Sequence, residues 1–357
     1  MKRVGFLYEK MCAPELIREA IAAAAKGKQK RHDVKRVLRN LERYAKIIQD
    51  LLERDDFQPS SYVITQRYDS RCKKTRIIQR PRFFPDQVIH WIIILVINQI
   101  IMRGMYYWSC GSIPKRGCIH GHKAVRRWLT TDRKNTKYAL KLDIKRFYDS
   151  IPHDKFMSLL RRKIKDERVL RLIQKIIDTT ERGVPIGNFT SQWFANFYLE
   201  TLDHYIKEKL GAKYYVRYID DLVVFGRNKK KLHALRKKLF AYAKDELALE
   251  VKGNWQVFPV RARGVDFLGY VYFHTHIRQR DRNYLSFTRQ CRRVKKKQNN
   301  GENIPYRMAA GLISRAGMIK HCNGQWTKRR YYDPIKEKNL KEVIRYESKR
   351  QLRAECT

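Results

Sequence analysis

The chain has 357 residues, enough for a sizeable core in one large domain or two to three subdomains. Its 79 Lys and Arg outnumber 35 Asp and Glu, giving a formal charge of +44 spread along the whole length. That excess goes beyond what solubility needs and favours nucleic acid as partner, because neutralised phosphates release counterions. The seven cysteines, odd in number and scattered, exclude a disulfide scaffold and fit a reducing cytoplasm.

In chain order, Met1–Lys10 carries charge and predicts no secretory signal. Residues 13–54 are rich in Ala, Leu, Arg and Lys and predict helix with one break near Gly27. "YVITQRYDSRCKKTRIIQRP" changes to shorter β-like runs and predicts a hairpin. "VIHWIIILVINQIIM", Val88–Met102, is short for a membrane span and interrupted by His90, Asn98 and Gln99; it predicts a buried helix and no membrane partner. A Gly-containing loop and a basic helix follow. They hold Cys110, Cys118, His120 and His122, whose spacing does not match a common zinc finger. Residues 154–179 predict a helix pair. A Gly/Pro turn, "RGVPIGN", then precedes a helical pattern from about Thr190. "AKYYVRYIDDLVVFGRN" predicts two strands around a tight turn, and residues 229–251 a helix. "WQVFPVRARGVDFLGYVYF" is strand-like, "RQCRRVKKKQNNGEN" predicts an exposed linker, and residues 305–350 predict helix with aromatics. Helices alternating with paired strands predict an α+β core with helical flanks.

Two adjacent acids, Asp220 and Asp221, interrupt the apolar run "YYVRYIDDLVVF". A solvated hairpin tip is the simplest account, because Asp is common in turns. Asp143 ends a second apolar strand, "ALKLD", and if the two strands lie side by side the carboxylates converge. Clustered carboxylates repel one another unless a cation joins them, and hard oxygen ligands suit Mg²⁺. Two such ions about 4 Å apart can activate a 3′-hydroxyl and stabilise a leaving pyrophosphate. Asp149 is a weaker third acid and serves equally as a helix cap.

"YIDD", "LDIKRFYDSI", "GVPIGNFTSQWFANFYL", "FLGY" and "KTRIIQRPRFFPDQVIHW" together resemble the motifs of reverse transcriptases in their chain order. The resemblance implies a right-hand α+β polymerase: an N-terminal basic helical region at 1–60, fingers at 61–137, a palm at 138–276 with inserted finger elements, and a helical thumb with a basic tail at 277–357. It implies Asp143, Asp220 and Asp221 as catalytic carboxylates that hold two Mg²⁺ ions, with the backbone carbonyl of Ile144 completing one shell. Deoxynucleoside triphosphates would meet Arg76 and Lys74 at the phosphates, Tyr148 under the sugar, and Ile186 and Gly187 nearby. Arg suits phosphate because its planar fork pairs with two oxygens; a solvated charge cluster is the plain alternative. Gly183, Pro185, Gln192 and Arg116 would contact the template, and Phe267, Leu268 and Gly269 the primer. Lys252 lies near the expected position of a lysine that protonates pyrophosphate, although "EVKGNWQ" does not align cleanly.

Many reverse transcriptases have glutamine where this chain has Ile186, and an isoleucine donates no hydrogen bond to police the incoming pair. Ile186 could equally be a packing substitution. The longer pattern most resembles enzymes of diversity-generating retroelements. These copy a template-repeat RNA into cDNA with frequent errors opposite adenines for mutagenic retrohoming, and they work with an accessory variability protein that forms a helical barrel. The resemblance thus implies template RNA, cDNA and that accessory protein as partners in a bacterial or phage-encoded cytoplasmic system. A retron or group II intron-like enzyme is one alternative, and a catalytically inactive basic RNA-binding protein another. Basic residues of "RQCRRVKKK", with Arg315, Lys320, Lys328 and Arg329, would follow a duplex backbone without reading bases.

Overall fold

The computed structural model describes residues 2–69 and 74–356, with only the backbone described for Asp69, Lys74 and residues 349–356. It divides into two compact units, one formed by residues 1–121, 140–225 and 230–257, the other by 122–139, 226–229 and 258–357.

In the first unit, helix Pro14–Ala25 starts with proline at its first turn, where the missing N–H costs nothing. The expected break follows at Gly27, which has φ 73. A second break, unforeseen, falls at Asn40, whose φ −123 and ψ 46 separate helices His32–Arg39 and Leu41–Glu53. Strands β1 (Val63–Asp69) and β2 (Lys74–Arg80) pair as the expected antiparallel hairpin. Helix Val88–Gly104 is apolar on every side, the pattern of a helix inside a core. It packs against Pro14–Ala25 and against helix Phe189–Tyr198. With the turn before it, it is the one segment among the described residues long and apolar enough to cross a membrane. Ile89, Ile92, Ile93 and Ile97 are nonetheless fully buried in protein.

The sheet that carries the acids has five strands: β3 (Ser109–Cys110), β4 (Tyr138–Asp143), β5 (Tyr214–Tyr218), β6 (Asp221–Gly226) and β7 (Gln256–Pro259), in the order β3-β5-β6-β4-β7. β5 and β6 are antiparallel, Tyr218 opposite Asp221, so Ile219 and Asp220 alone make the turn. Tyr215, Val216, Leu222, Val223 and Val224 are all buried, consecutive residues included, so protein covers both faces of this hairpin.

The second unit holds a three-stranded sheet of β8 (Val265–Phe267), β9 (Tyr270–Tyr272) and β10 (Ile277–Gln279) in the order β10-β9-β8. The strand-like reading of residues 255–273 missed one helical turn, Val260–Arg263. The linker expected at 289–303 is a correction: helix Asp281–Asn299 runs through most of it. Lys, Arg and Gln are good helix formers, and Phe287, Cys291 and Val294 recur at i, i+4 and i+7 to form one buried stripe. With Leu312, Ile319 and Leu340 from the helices that follow, they form the core of this unit. Of the aromatics in residues 305–350, Tyr332 joins that core whereas Trp326 is exposed. Phe287→Ala should cost about 3–5 kcal/mol by emptying a fully buried site, seen as a lower chemical-denaturation midpoint; an unchanged midpoint would place the helix outside the folded core.

Candidate active site

β4 alternates buried Leu140 and Leu142 with Lys141 and Asp143, which carries Asp143 to the strand end on the face opposite the leucines. Two neighbours fix its backbone: the N–H of Ile144 donates to the carbonyl of Asp220 at 3.3 Å, and the N–H of Lys252 to the carbonyl of Asp143 at 2.9 Å. The hairpin turn is thereby brought to the end of β4, and the side chains of Asp143 and Asp220 lie within hydrogen-bonding reach of each other. Burial first, and the Asp143 charge second, push the Asp220 carboxyl up to about 6. Burial likewise pushes Asp221 to about 6, against the pull of Lys141, whose ammonium is 3.5 Å from one of its oxygens. The other oxygen of Asp221 is buried without a hydrogen-bond partner.

Among the described residues no three acidic, histidine or cysteine side chains converge as ligands for a metal. Asp143 and Asp220 form a pair, and Asp221 lies beside Lys141. The donors nevertheless fit a hard divalent cation, being carboxylate oxygens, with the Asp143 charge raising the proton affinity of Asp220 and Asp221 and one Asp221 oxygen unsatisfied. At present the Lys252 ammonium, 2.7 Å from Asp143 Oδ1, balances the pair.

Asp143, Asp220 and Lys252 form part of the wall of a cleft of about 1990 Å³. Tyr148, in the helical turn Phe147–Ser150, lines it, and burial, with Asp220 nearby, pushes its hydroxyl up to about 12, so the phenol stays neutral. Gly183 has φ 83, and a side chain there would strike the backbone of Tyr148 and Asp149. Gly183 and Pro185 are buried behind this wall and do not line the cleft; they fix Tyr148 in place, the N–H of Val184 donating to its carbonyl at 2.8 Å.

Ile186, Gly187 and Gln192 line the cleft, as does Arg76 from β2. The N–H of Gln79 donates to the carbonyl of Ile186 at 2.8 Å, and Gly187, at φ 131, lets the Gln79 carbonyl pass where a side chain would collide. Strand β2 is thus tied to the 186–187 turn. Lys74 begins β2, but its side chain lies outside the described residues. Sequence reasoning missed Lys26, Lys28, Arg31, Arg80 and Arg146 on the same wall; the first three come from the basic break between N-terminal helices, a signal that was visible but had no position. Asp149 also lines the cleft.

Arg116 is away from this wall: it donates to the Tyr106 carbonyl at 3.2 Å and lies over the Tyr107 ring. In the second unit, Phe267 is fully buried, while Leu268 and Gly269, at φ 52 and 87, make the two-residue turn between β8 and β9. The Gly269 carbonyl accepts from the Arg280 N–H at 3.0 Å and from Asn283 Nδ2 at 3.1 Å.

The raised acid at Asp220 gives a sign for pH dependence. Between its unfolded value of 3.8 and about 6, the folded chain holds a proton that the unfolded chain has lost. The stability contribution of this group therefore falls as pH rises through that window. In metal-free protein, Asp220→Asn should add about 1–3 kcal/mol at pH 7.5, a gain that fades as pH falls toward 4; equal denaturation midpoints at both pH values would contradict the shift.

Residues 69–272, more than half of the chain, match the family model for "Reverse transcriptase (RNA-dependent DNA polymerase)". An uncharacterized 91 kDa protein in a cob intron of Schizosaccharomyces pombe is 34% identical over 45% of this chain and 20% of its own length. The retron Ec73 reverse transcriptase of Escherichia coli is 28% identical over 55% of this chain and 63% of its own, and the group II intron-encoded protein LtrA of Lactococcus lactis 28% over 46% and 28%. The chain thus spans less than two thirds of each of these relatives. Apo telomerase from Candida tropicalis aligns at a TM-score of 0.49 with 13% identity, covering 65% of this chain and 50% of that one, a likeness too loose to assign function. The sheet with acids at adjoining strand ends and the family match across it lead to one conclusion: the chain belongs to the reverse transcriptase family.

Proposed function

We propose that this chain is an RNA-directed DNA polymerase that extends a primer by two-metal-ion nucleotidyl transfer. The observation that carries the reading is the Asp143–Asp220 pair at the foot of a basic cleft. Asp143 and Asp220 are the residues that would hold the ions, with the Ile144 carbonyl and Asp221 in support. When bound, two Mg²⁺ ions supply Lewis-acid activation of the primer 3′-hydroxyl and neutralise charge on the leaving pyrophosphate. Lys252 balances the Asp143 carboxylate and would give up that contact to a bound cation. Arg76 grips the triphosphate with its planar fork, and Tyr148, neutral and braced from behind by Gly183, closes the space a 2′-hydroxyl would need.

The finer reading is a diversity-generating retroelement enzyme. It would make error-prone cDNA from a template-repeat RNA in company with a helical-barrel accessory protein, in the cytoplasm of a bacterial host. Its support is Ile186, an apolar side chain on the cleft wall at the motif position where the resemblance to reverse transcriptases leads one to expect glutamine. The likeness to a retron reverse transcriptase favours a second reading, in which the same chemistry copies its RNA with no excess of errors at adenines.

Primer extension on RNA with Mg²⁺ tests the coarse reading. Asp143→Asn and Asp220→Asn should each lower the rate by 10³-fold or more, of the order expected when charge stabilisation at the reacting atoms is lost; unchanged synthesis would overturn it. Sequencing the cDNA tests the finer one. Ile186→Gln should reduce misincorporation opposite template adenines several-fold at similar extension rates, while an even error spectrum in the unaltered enzyme would leave the retron reading standing.

A further inference from the structure

Arg217 in β5 has no role in the chemistry above, yet it is fully buried with its charge. Its guanidinium grips Asp203, also fully buried, with Nε to Oδ1 at 2.8 Å and Nη2 to Oδ2 at 2.6 Å. Asp203 accepts two further bonds, from the Ser109 hydroxyl at 2.6 Å and the Tyr215 hydroxyl at 2.7 Å. The remaining Arg217 donors reach Asn196 Oδ1 at 3.0 Å, Ser109 Oγ at 3.1 Å and the carbonyl of Ile219 at 2.9 Å. A buried ion pair is weak evidence for stability, because well-packed apolar residues of the same volume often serve as well. What an apolar pair cannot do is donate to the Ile219 carbonyl.

That carbonyl belongs to the peptide joining Ile219 to Asp220. Ile219 has φ 55, a left-handed conformation that a β-branched residue adopts only under constraint. Its N–H donates to the Cys110 carbonyl at 3.1 Å, so both polar groups of this residue are held from behind the turn. Asn196 joins the two holds, accepting from Arg217 and donating Nδ2 to the Gly111 carbonyl at 3.0 Å. Gly111, at φ 93, leaves room for the Ile219 side chain, which a Cβ at that position would meet at 2.9 Å.

We propose that Arg217, with Asp203, is a positioning residue that holds the Ile219–Asp220 peptide in its strained turn and so keeps Asp220 against Asp143. The inference rests on the polymerase reading for its consequence in turnover, but the geometry it invokes can be read without turnover.

The test compares Arg217→Met, Arg217→Lys and the double variant Arg217→Met with Asp203→Leu. Melting temperature, kcat and KM for nucleotide, the Mg²⁺ concentration for half-maximal rate, and Mn²⁺ affinity of the protein alone by electron paramagnetic resonance are measured together. Arg217→Met strands the Asp203 charge and lowers the melting temperature. The double variant recovers most of that loss. It should still show kcat down 10- to 100-fold with KM changed less than threefold, a several-fold higher Mg²⁺ requirement, and Mn²⁺ affinity reduced at least fivefold. Arg217→Lys keeps the charge but not the fork and should fall between. A double variant that regains kcat, Mg²⁺ requirement and Mn²⁺ affinity along with its melting temperature would make the pair a structural element only. Should the double variant not fold, Ile219→Gly in the Arg217→Lys background decides. Glycine removes the cost of the positive φ, so partial recovery of Mn²⁺ affinity and kcat supports the proposal, and no recovery overturns it. Unaltered enzyme that binds Mn²⁺ but extends no primer would refute the polymerase reading and still leave the Mn²⁺ comparison to judge Arg217.

Discussion

Two carboxyl groups, one at the end of β4 and one in the turn of the β5–β6 hairpin, repel each other, and the sheet holds them together all the same. Asp143 and Asp220 are joined by the backbone hydrogen bond between Ile144 and Asp220, which no titration can remove. The cost shows in the raised proton affinity of Asp220, caused by burial and by its acidic neighbour. In a chain with a formal charge of +44, a cluster of half-buried acids is the local exception. Its natural complement is a small divalent cation brought to a basic cleft together with a phosphate-bearing substrate.

The rest of the first unit can be understood as support for that contact. Buried apolar residues on both faces fix the register of β5 and β6, and the register puts Asp220 in the turn. A slip of one residue would send the acid to the other face. Gly183 and Gly187 work at a second level: one allows the 183–184 segment to back Tyr148, the other lets β2 cross the 186–187 turn at close range. A hairpin bearing Arg76 is therefore hydrogen-bonded directly to the turn bearing Ile186. The phosphate grip proposed for Arg76 and the pairing role proposed for Ile186 would thereby be mechanically connected.

Much of this was legible in the sequence because it depends on local pattern. Strand alternation up to Asp143, the two acids inside an apolar hairpin, and the buried helix at 88–104 need no partner to be recognised. The basic run after residue 289 misled because charge masked the spacing of Phe287, Cys291 and Val294, which is helical. Gly183 was expected to approach template, yet its freedom is used against the protein's own backbone; sequence announces the conformation but not the neighbour. The Arg217–Asp203 pair was invisible for a related reason: the partners sit in different elements, and nothing in "YYVRYIDD" says that the arginine points inward. Lys28 and Arg31 on the cleft wall were legible as charge and not as position.

The claim on which everything else depends is that Asp143 and Asp220 share a cation. Anomalous diffraction from crystals of the enzyme with primer-template, a non-hydrolysable deoxynucleotide and Mn²⁺ would test it most directly. The account predicts two manganese peaks about 4 Å apart, both within bonding distance of Asp143 and Asp220. Manganese bound elsewhere, or carboxylates that stay paired with Lys252 while nucleotide occupies the cleft, would contradict it.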